Sequence, residues 1–383
     1  MHLLGLKSNQ IYSTLTTAWH GVNFEPFEIV FEPAFDLAKI SSRSNNMWRY
    51  REAIPIEKSA ELITFNEGFT PLLSIGLGTN LTILVKQEQL FSTGSYKDRG
   101  ATVLLSHIKQ LGISHLVQDS SGNAGAAIAA YAAKANIKCD IFLPEETAEA
   151  KLIQMAAYGA NIIKIAGTRQ DAALAAFEAA KSSYYASHSF NPFFIQGTKT
   201  FAYEVCEQLH WNAPDSVVLP AGNGTLVLGC FLGFNELAQA GIISKIPKII
   251  AVQATNCNPL AQAFHKGLKE AQNIEPQPTL AEGIAITHPI KGPQIIEAVL
   301  KTKGTFISVS ETEIASAWLQ MAKIGFFIEP TSAAAIAGVT EYAKGLEKEE
   351  KIVTLFSGHG LKSLDKIAKI LTKNHLLLRR FYT

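Results

Sequence analysis

The sequence predicts an α/β protein with two parallel-sheet domains and helices on both faces of the sheets. Three observations carry this. Between residues 100 and 181, short apolar runs alternate with helical runs. The alternation resumes after Tyr184 and continues towards the C-terminal end. Several strand ends open into Gly- or Ser-rich loops that lead into helices. Alternation at this pitch builds parallel sheets, and 383 residues amount to about two domains.

Taken in order, residues 1–50 carry Phe24, Phe27, Phe31, Phe35, Trp48 and Tyr50 without a clear period. They read as short strands and loops capping a larger body. Residues 66–72 read as a turn, because Gly68 and Pro71 punctuate them. A strand is expected at 81–86. The first alternating series has a helix at 101–111, a strand at 115–118, an Ala-rich helix at 126–135 and a strand at 137–143. A helix at 147–158, a strand at 161–165 and a helix at 170–181 complete it. Alanine runs favour these helices and permit close packing. The second series has a helix at 200–209, a strand at 216–219, a helix from Leu226 and a strand at 248–253. A stretch bearing Pro259, Pro276, Pro278, Pro289 and Pro293 follows, with interspersed helices. Helices at 311–324 and 331–343 and a strand at 351–356 close the pattern. Strand-end loops are where such folds place their chemistry.

Composition narrows the function classes. Hydrophobic residues make up 47% and charged residues 17%, which indicates a packed core. Lys plus Arg number 34 and Asp plus Glu 33, a net charge of +1. No basic field is present to hold nucleic acid, so no nucleic-acid partner is expected. No apolar run is long enough to span a bilayer, and the first residues are too weakly apolar for a secretory leader. A cytoplasmic protein without a membrane partner is expected. Cys139, Cys206, Cys230 and Cys257 lack CxxC spacing, so neither a metal site nor a disulfide framework is expected.

Four loops carry candidate chemistry. In Gly94-Ser95-Tyr96-Lys97-Asp98-Arg99-Gly100, Lys97 stands at a helix start, where the positive end of the dipole favours an uncharged, nucleophilic amine. A solvated surface lysine is the competing reading. In Ser120-Ser121-Gly122-Asn123-Ala124-Gly125, backbone N–H groups and two hydroxyls would suit a carboxylate. An ordinary N-cap is the alternative. Ala221-Gly222-Asn223-Gly224-Thr225 would form a concave phosphate cup, or merely a tight turn. Val227 stands where a dinucleotide fingerprint needs glycine, and no Walker lysine follows. Ser357-Gly358-His359-Gly360 would direct a hydroxyl into a pocket, or serve only as a turn. A lysine nucleophile, a carboxylate cradle, a phosphate cup and a lone hydroxyl together suit pyridoxal phosphate chemistry on an amino acid.

From about Trp48 to Lys362 the chain resembles the fold type II pyridoxal phosphate enzymes (tryptophan synthase beta-like), most closely their threonine synthase branch. The resemblance rests on Trp48-Arg49-Tyr50-Arg51, Glu67-Gly68-Phe69-Thr70-Pro71-Leu72, the lysine and asparagine loops, and Asn191-Pro192. It rests also on residues 197–200, the cup, and Ser357-Gly358-His359-Gly360-Leu361-Lys362. It implies that Lys97 is the Schiff-base lysine and proton carrier. It implies that Asn123 bonds the cofactor 3′-oxygen, and that Gly222, Asn223, Gly224 and Thr225 hold the cofactor phosphate. Ser357 would face the pyridine nitrogen as a neutral hydroxyl that does not enforce a pyridinium. Ser120, Ser121, Gly122 and Ala124 would line the substrate carboxylate site. Ser189 and Phe194 would stand on the side of a substrate phosphate.

Two positions depart from the branch. Phe194 replaces an arginine expected two residues after Asn191-Pro192, and Ala124 replaces a threonine. Loss of a guanidinium removes a charge-assisted anion contact. Lys199 is a possible substitute cation. The expected activity is therefore a threonine synthase-like lyase acting by α-proton removal and side-chain elimination or replacement. The alternative is a serine/threonine dehydratase, or a β-replacing synthase, with a non-phosphorylated substrate. The resemblance also implies a homodimer, a large domain of 1–95 with 196–383, and a smaller, mobile domain of 96–195.

Overall fold

Runs of β-branched and aliphatic residues set the central strands. Ser216–Pro220 is buried at every position and Lys248–Ala254 at all but its first, as parallel strands covered on both faces must be. A computed structural model describes residues 1–78, 81–147 and 149–374. The chain divides into two compact units, one of 1–69 with 91–204 and one of 70–90 with 205–383. This differs from the expected division, since residues 1–69 group with 91–204 rather than with the C-terminal half. The reason is apolar: Phe27, Ile29, Met47 and Trp48 share one core cluster with Val103, Leu104 and Phe193.

The first unit contains a four-stranded parallel sheet. Its spatial order is Asn161–Ile165, Lys138–Pro144, His115–Gln118, Tyr184–Tyr185. The chain winds outwards from His115–Gln118 and then returns to its other side, so the order reverses between that strand and Tyr184–Tyr185. The helices differ from expectation only at their ends: Lys97–Gln110, Asn123–Ala135, Glu149–Ala157 and Arg169–Ala179. Ala148, inside the expected helix 147–158, lies outside the described residues. The Asn123–Ala135 helix buries ten residues, seven of them alanine, and ends on Asn136 in the left-handed conformation. Arg169–Ala179 starts on a capping box of Thr168 and Asp171. Residues 1–30, read as a cap, form a three-stranded antiparallel sheet of Ile11–Tyr12, His2–Gly5 and Phe27–Val30.

The second unit contains a six-stranded sheet in the order Thr305–Val309, Lys248–Ala254, Ser216–Pro220, Ile352–Leu355, Thr82–Lys86, Leu72–Gly76. The last strand is antiparallel to its neighbour. It begins at Leu72, inside the segment read as a turn. Again the order reverses at one place: the chain runs outwards from Ser216–Pro220 and comes back at Ile352–Leu355 on the other side.

Candidate functional site

In an open parallel sheet, ligands bind beyond the carboxyl ends of the strands where the order reverses. Each unit has one such place, and the sequence motifs fall on them. In the first unit, Leu116 and Val117 pair with Tyr184 and Tyr185. The loop from Asp119 to Gly125 and the segment from Ala186 to Ser189 therefore leave neighbouring strands side by side. Gly122 caps the Asn123–Ala135 helix without a side-chain bond, is exposed, and would have open space around a Cβ. Ser120 is buried and its hydroxyl accepts from Gly122 N at 3.4 Å. Ser121 and Asn123 are half-buried, and Ala124 is buried. A Cβ on Gly125 would sit 1.9 Å from Ser120 O, so only glycine lets the loop fold back this tightly.

Lys97 is the first residue of its helix and is half-buried. Its ammonium donates to the Tyr96 hydroxyl at 2.6 Å and lies 5.9 Å from the centroid of the Phe194 ring. The sequence places Phe194 there through the helix Pro192–Thr198. Asn191 starts it, accepting from Phe193 N at 3.0 Å while its amide donates to the Tyr184 hydroxyl at 2.8 Å. Phe194 is fully buried, its ring seated against Gly100, where a Cβ would come within 2.3 Å. His188 stands edge-on to the same ring with centroids 5.8 Å apart. Burial, together with the charges of Lys97 and Arg169, holds His188 well below the usual imidazole range. Ser189 is buried, 3.2 Å from the Ser187 hydroxyl. Lys97, Ser189 and Phe194 are thus gathered in one neighbourhood, with His188 added to them. Lys199, the possible substitute cation, is not: it is fully buried, 5.4 Å from the Phe31 ring centroid and 5.9 Å from that of Tyr203.

In the second unit, Val217 pairs with Val353, so the cup and Ser357 leave adjacent parallel strands. Gln253 fixes the entrance to the cup by donating to Ala221 O at 3.0 Å. Gly224 has φ of +70° and caps the 15-residue helix Thr225–Gln239 without a side-chain bond. A Cβ on Gly224 would come to 2.2 Å from Ile295 Cδ1, and one on Gly222 to 3.0 Å from Ile284 Cα. A loop that excludes side chains at the positive end of a long helix is a fit for a phosphate group. Asn223 is half-buried and Thr225 buried at the same place. Ser357 is fully buried; its hydroxyl donates to Glu329 Oε1 at 2.8 Å and lies 3.1 Å from that of Ser332. His359, two residues on, accepts from Leu361 N and caps the short helix Gly360–Ser363.

The Pyridoxal-phosphate dependent enzyme family matches residues 63–358. The chain belongs to this family. Among relatives of the enzyme, a threonine synthase of Methanocaldococcus jannaschii is 36% identical, covering 85% of this chain and 83% of that protein. A threonine synthase of Bacillus sp. (strain ULM1) is 35% identical, covering 83% and 90%. Among solved structures, a fungal L-serine ammonia-lyase from Rhizomucor miehei has a TM-score of 0.70 at 23% identity, covering 79% of this chain and 98% of its own. The processed form of threonine deaminase isoform 2 from Solanum lycopersicum has a TM-score of 0.69 at 22% identity, covering 91% and 97%. Both structures share the enzyme's fold.

Four residues escaped the reading of the sequence: His188, Glu329, Ser332 and Asp119. Burial pushes the Asp119 carboxyl up, opposed by the Arg169 charge and the Tyr185 hydroxyl. Asp119 directly precedes the loop already singled out, and Glu329-Pro330 announces a helix start, so both had a signal. His188 and Ser332 had none, because only the sheet order brings them to these loops.

Proposed function

We propose that the enzyme removes the Cα proton of a small amino acid and expels a leaving group from its side chain, in a threonine synthase-like elimination and replacement. The observation that carries this is the setting of Lys97: an amine at a helix start, beside the strand-end segment that bears His188, Ser189 and Phe194. When bound, the cofactor supplies an electron sink for the pair left at Cα. Lys97 holds the cofactor and, once released, its Nζ takes the Cα proton and returns it. The N–H groups from Gly122 to Ala124, with Ser120 and Ser121, bind and orient the substrate carboxylate. Asn123 holds the ring oxygen of the cofactor. Gly222, Asn223, Gly224 and Thr225 hold its phosphate, and Ser357 faces its ring nitrogen. The proposal extends to a homodimer in the cytoplasm, and a single-chain mass by light scattering would remove the dimer.

A second reading, for a non-phosphorylated substrate, is favoured by Phe194. Near Lys97 stand the Phe194 ring and the neutral His188 imidazole, neither of which balances a dianion, so the Arg169 charge that His188 feels would have to do so. The deciding measurement is phosphate release and threonine formation from O-phospho-L-homoserine by the cofactor-loaded enzyme. Stoichiometric release with threonine supports the first reading. No release, with ammonia formed from L-serine or L-threonine, supports the second. Inertness towards all three, with no exchange of their Cα protons, would overturn the proposal.

A further inference from the structure

Arg169 puts an unpaired charge beside the strand ends of the first unit. It is the first residue of the helix Arg169–Ala179, which follows the edge strand Asn161–Ile165 and packs on Lys138–Pro144 and His115–Gln118. Spacing fixes its face of the helix: Ala172 and Ala176, three and seven residues on, are fully buried. Helical side chains lean towards the N-terminal end. Arg169 therefore reaches past the start of its helix, on the side of the sheet's carboxyl ends. The loop from Asp119 to Gly125 and the segment from Ala186 to Ser189 leave the sheet on that side. Asp119, Tyr185 and His188 all feel the Arg169 charge, at two neighbouring strand ends. Arg169 is itself exposed, and its guanidinium has no hydrogen bond or ion pair with a described residue. Asp119 is bonded by the Tyr185 hydroxyl instead.

A guanidinium keeps its charge in proteins and presents parallel N–H donors that match a phosphate or a carboxylate. The groups around it carry no such charge. Phe194 is apolar, His188 beside it is held neutral, and Ser187 and Ser189 add only buried hydroxyls. An anion at this end of the site is balanced by Arg169 or left poorly solvated. We propose that Arg169 binds the far end of the substrate side chain, and that this end is an anion, a phosphate or a carboxylate. The arginine expected at position 194 is thereby supplied from another strand end. The inference deepens the first reading of the function and rests on it: an amino acid whose carboxylate lies against Ser120 to Ala124, and whose Cα proton goes to Lys97.

The test is calorimetric binding of three amino acids without a leaving group to the cofactor-loaded enzyme. They are 2-amino-5-phosphonopentanoate, L-2-aminoadipate and L-norvaline, the same chain ending in a phosphonate, a carboxylate or a hydrogen. The parent is expected to bind an anionic ligand more tightly than norvaline, and the tighter of the two names the anion. Arg169→Gln is expected to weaken that ligand about 10–100-fold, the worth of a hydrogen bond to a charged group, and to leave norvaline unchanged. Equal weakening of all three would make Arg169 a support of the Asp119 loop and overturn the inference. So would an Arg169→Gln enzyme that binds the anion as the parent does. A parent that binds norvaline as tightly as the anions overturns it too, while exchange of the norvaline Cα proton would leave the reading of Lys97 standing. A parent that binds none of the three overturns that reading, and the inference with it.

Discussion

Lys97 and Phe194 show how one apolar residue alters the setting of a reactive one. The Phe194 ring fills the space made by Gly100 and stands 5.9 Å from the Lys97 ammonium. On that side the amine meets the face of a ring and, at 2.6 Å, the Tyr96 hydroxyl. Its neighbour in sequence, Asp98, accepts from Thr93 N at 3.0 Å. Lys97→Ala should remove the base. Deuterium exchange at Cα of an amino-acid substrate, followed by proton NMR, should slow by about 10²–10⁴-fold, the usual worth of a positioned acid–base group. The circular dichroism spectrum should stay that of the parent. Exchange at the parental rate would move the base to another group, with Tyr96 the first to test.

At the scale of elements, the lysine helix is tied to the helix Pro192–Thr198 by glycines and one stacked pair. Gly100 faces Phe194, and a Cβ on Gly197 would sit 1.8 Å from Arg99 O. One helical turn from the C-terminal end of the lysine helix, the His107 ring stacks on Phe193 with centroids 3.5 Å apart and planes 13° from parallel. A helix C-terminus favours a charged histidine, but burial prevails and pushes His107 down to about 3. The unfolded chain titrates near 6.5, so the sign follows. Above that pH neither state carries the proton and stability is complete. As pH falls from 6.5 towards 3, the unfolded chain takes up a proton that the folded chain refuses, and stability drops by about 5 kcal/mol at most. Chemical denaturation at pH 7.5 and pH 5 should show this loss, and His107→Leu should reduce it. An equal loss in the variant would place the acid sensitivity elsewhere. The alternating helices were legible in the sequence to within about four residues, because their apolar period is long, whereas the short helix Pro192–Thr198 was not read. The two-residue strand Tyr184–Tyr185 was not: it is too short for a period, although it completes the order reversal beside the Ser120 loop.

At the scale of the whole molecule, legibility followed the range of the interactions. The loops of Lys97, Ser120 to Gly125, Gly222 to Thr225 and Ser357 were readable because each is a local signature of glycine and hydroxyl residues. The division of the chain was not, because it depends on which apolar residues share a core, as Phe27 and Trp48 do with Leu104. Nor was Glu329, whose bond to Ser357 spans 28 residues. The cofactor gives the same contrast an energetic form. A ligand that binds only the folded chain stabilises it by RT ln(1 + [L]/Kd), about 2.7 kcal/mol at one hundred times Kd. The proposed function gives its phosphate to Gly222 to Thr225 and its aldehyde to Lys97. Removing the cofactor should therefore lower the melting temperature, and adding pyridoxal phosphate should restore it along a saturable curve. Lys97→Ala should retain part of that rise, since the phosphate cup is intact, whereas Gly224→Val should lose it even with Lys97 present. The valine side chain would enter the space of Ile295 at a backbone position with φ of +70°. Its own destabilisation is cancelled by comparing each variant with and without cofactor. A Gly224→Val protein that gains as much from the cofactor as the parent would show that the phosphate is held somewhere other than the cup.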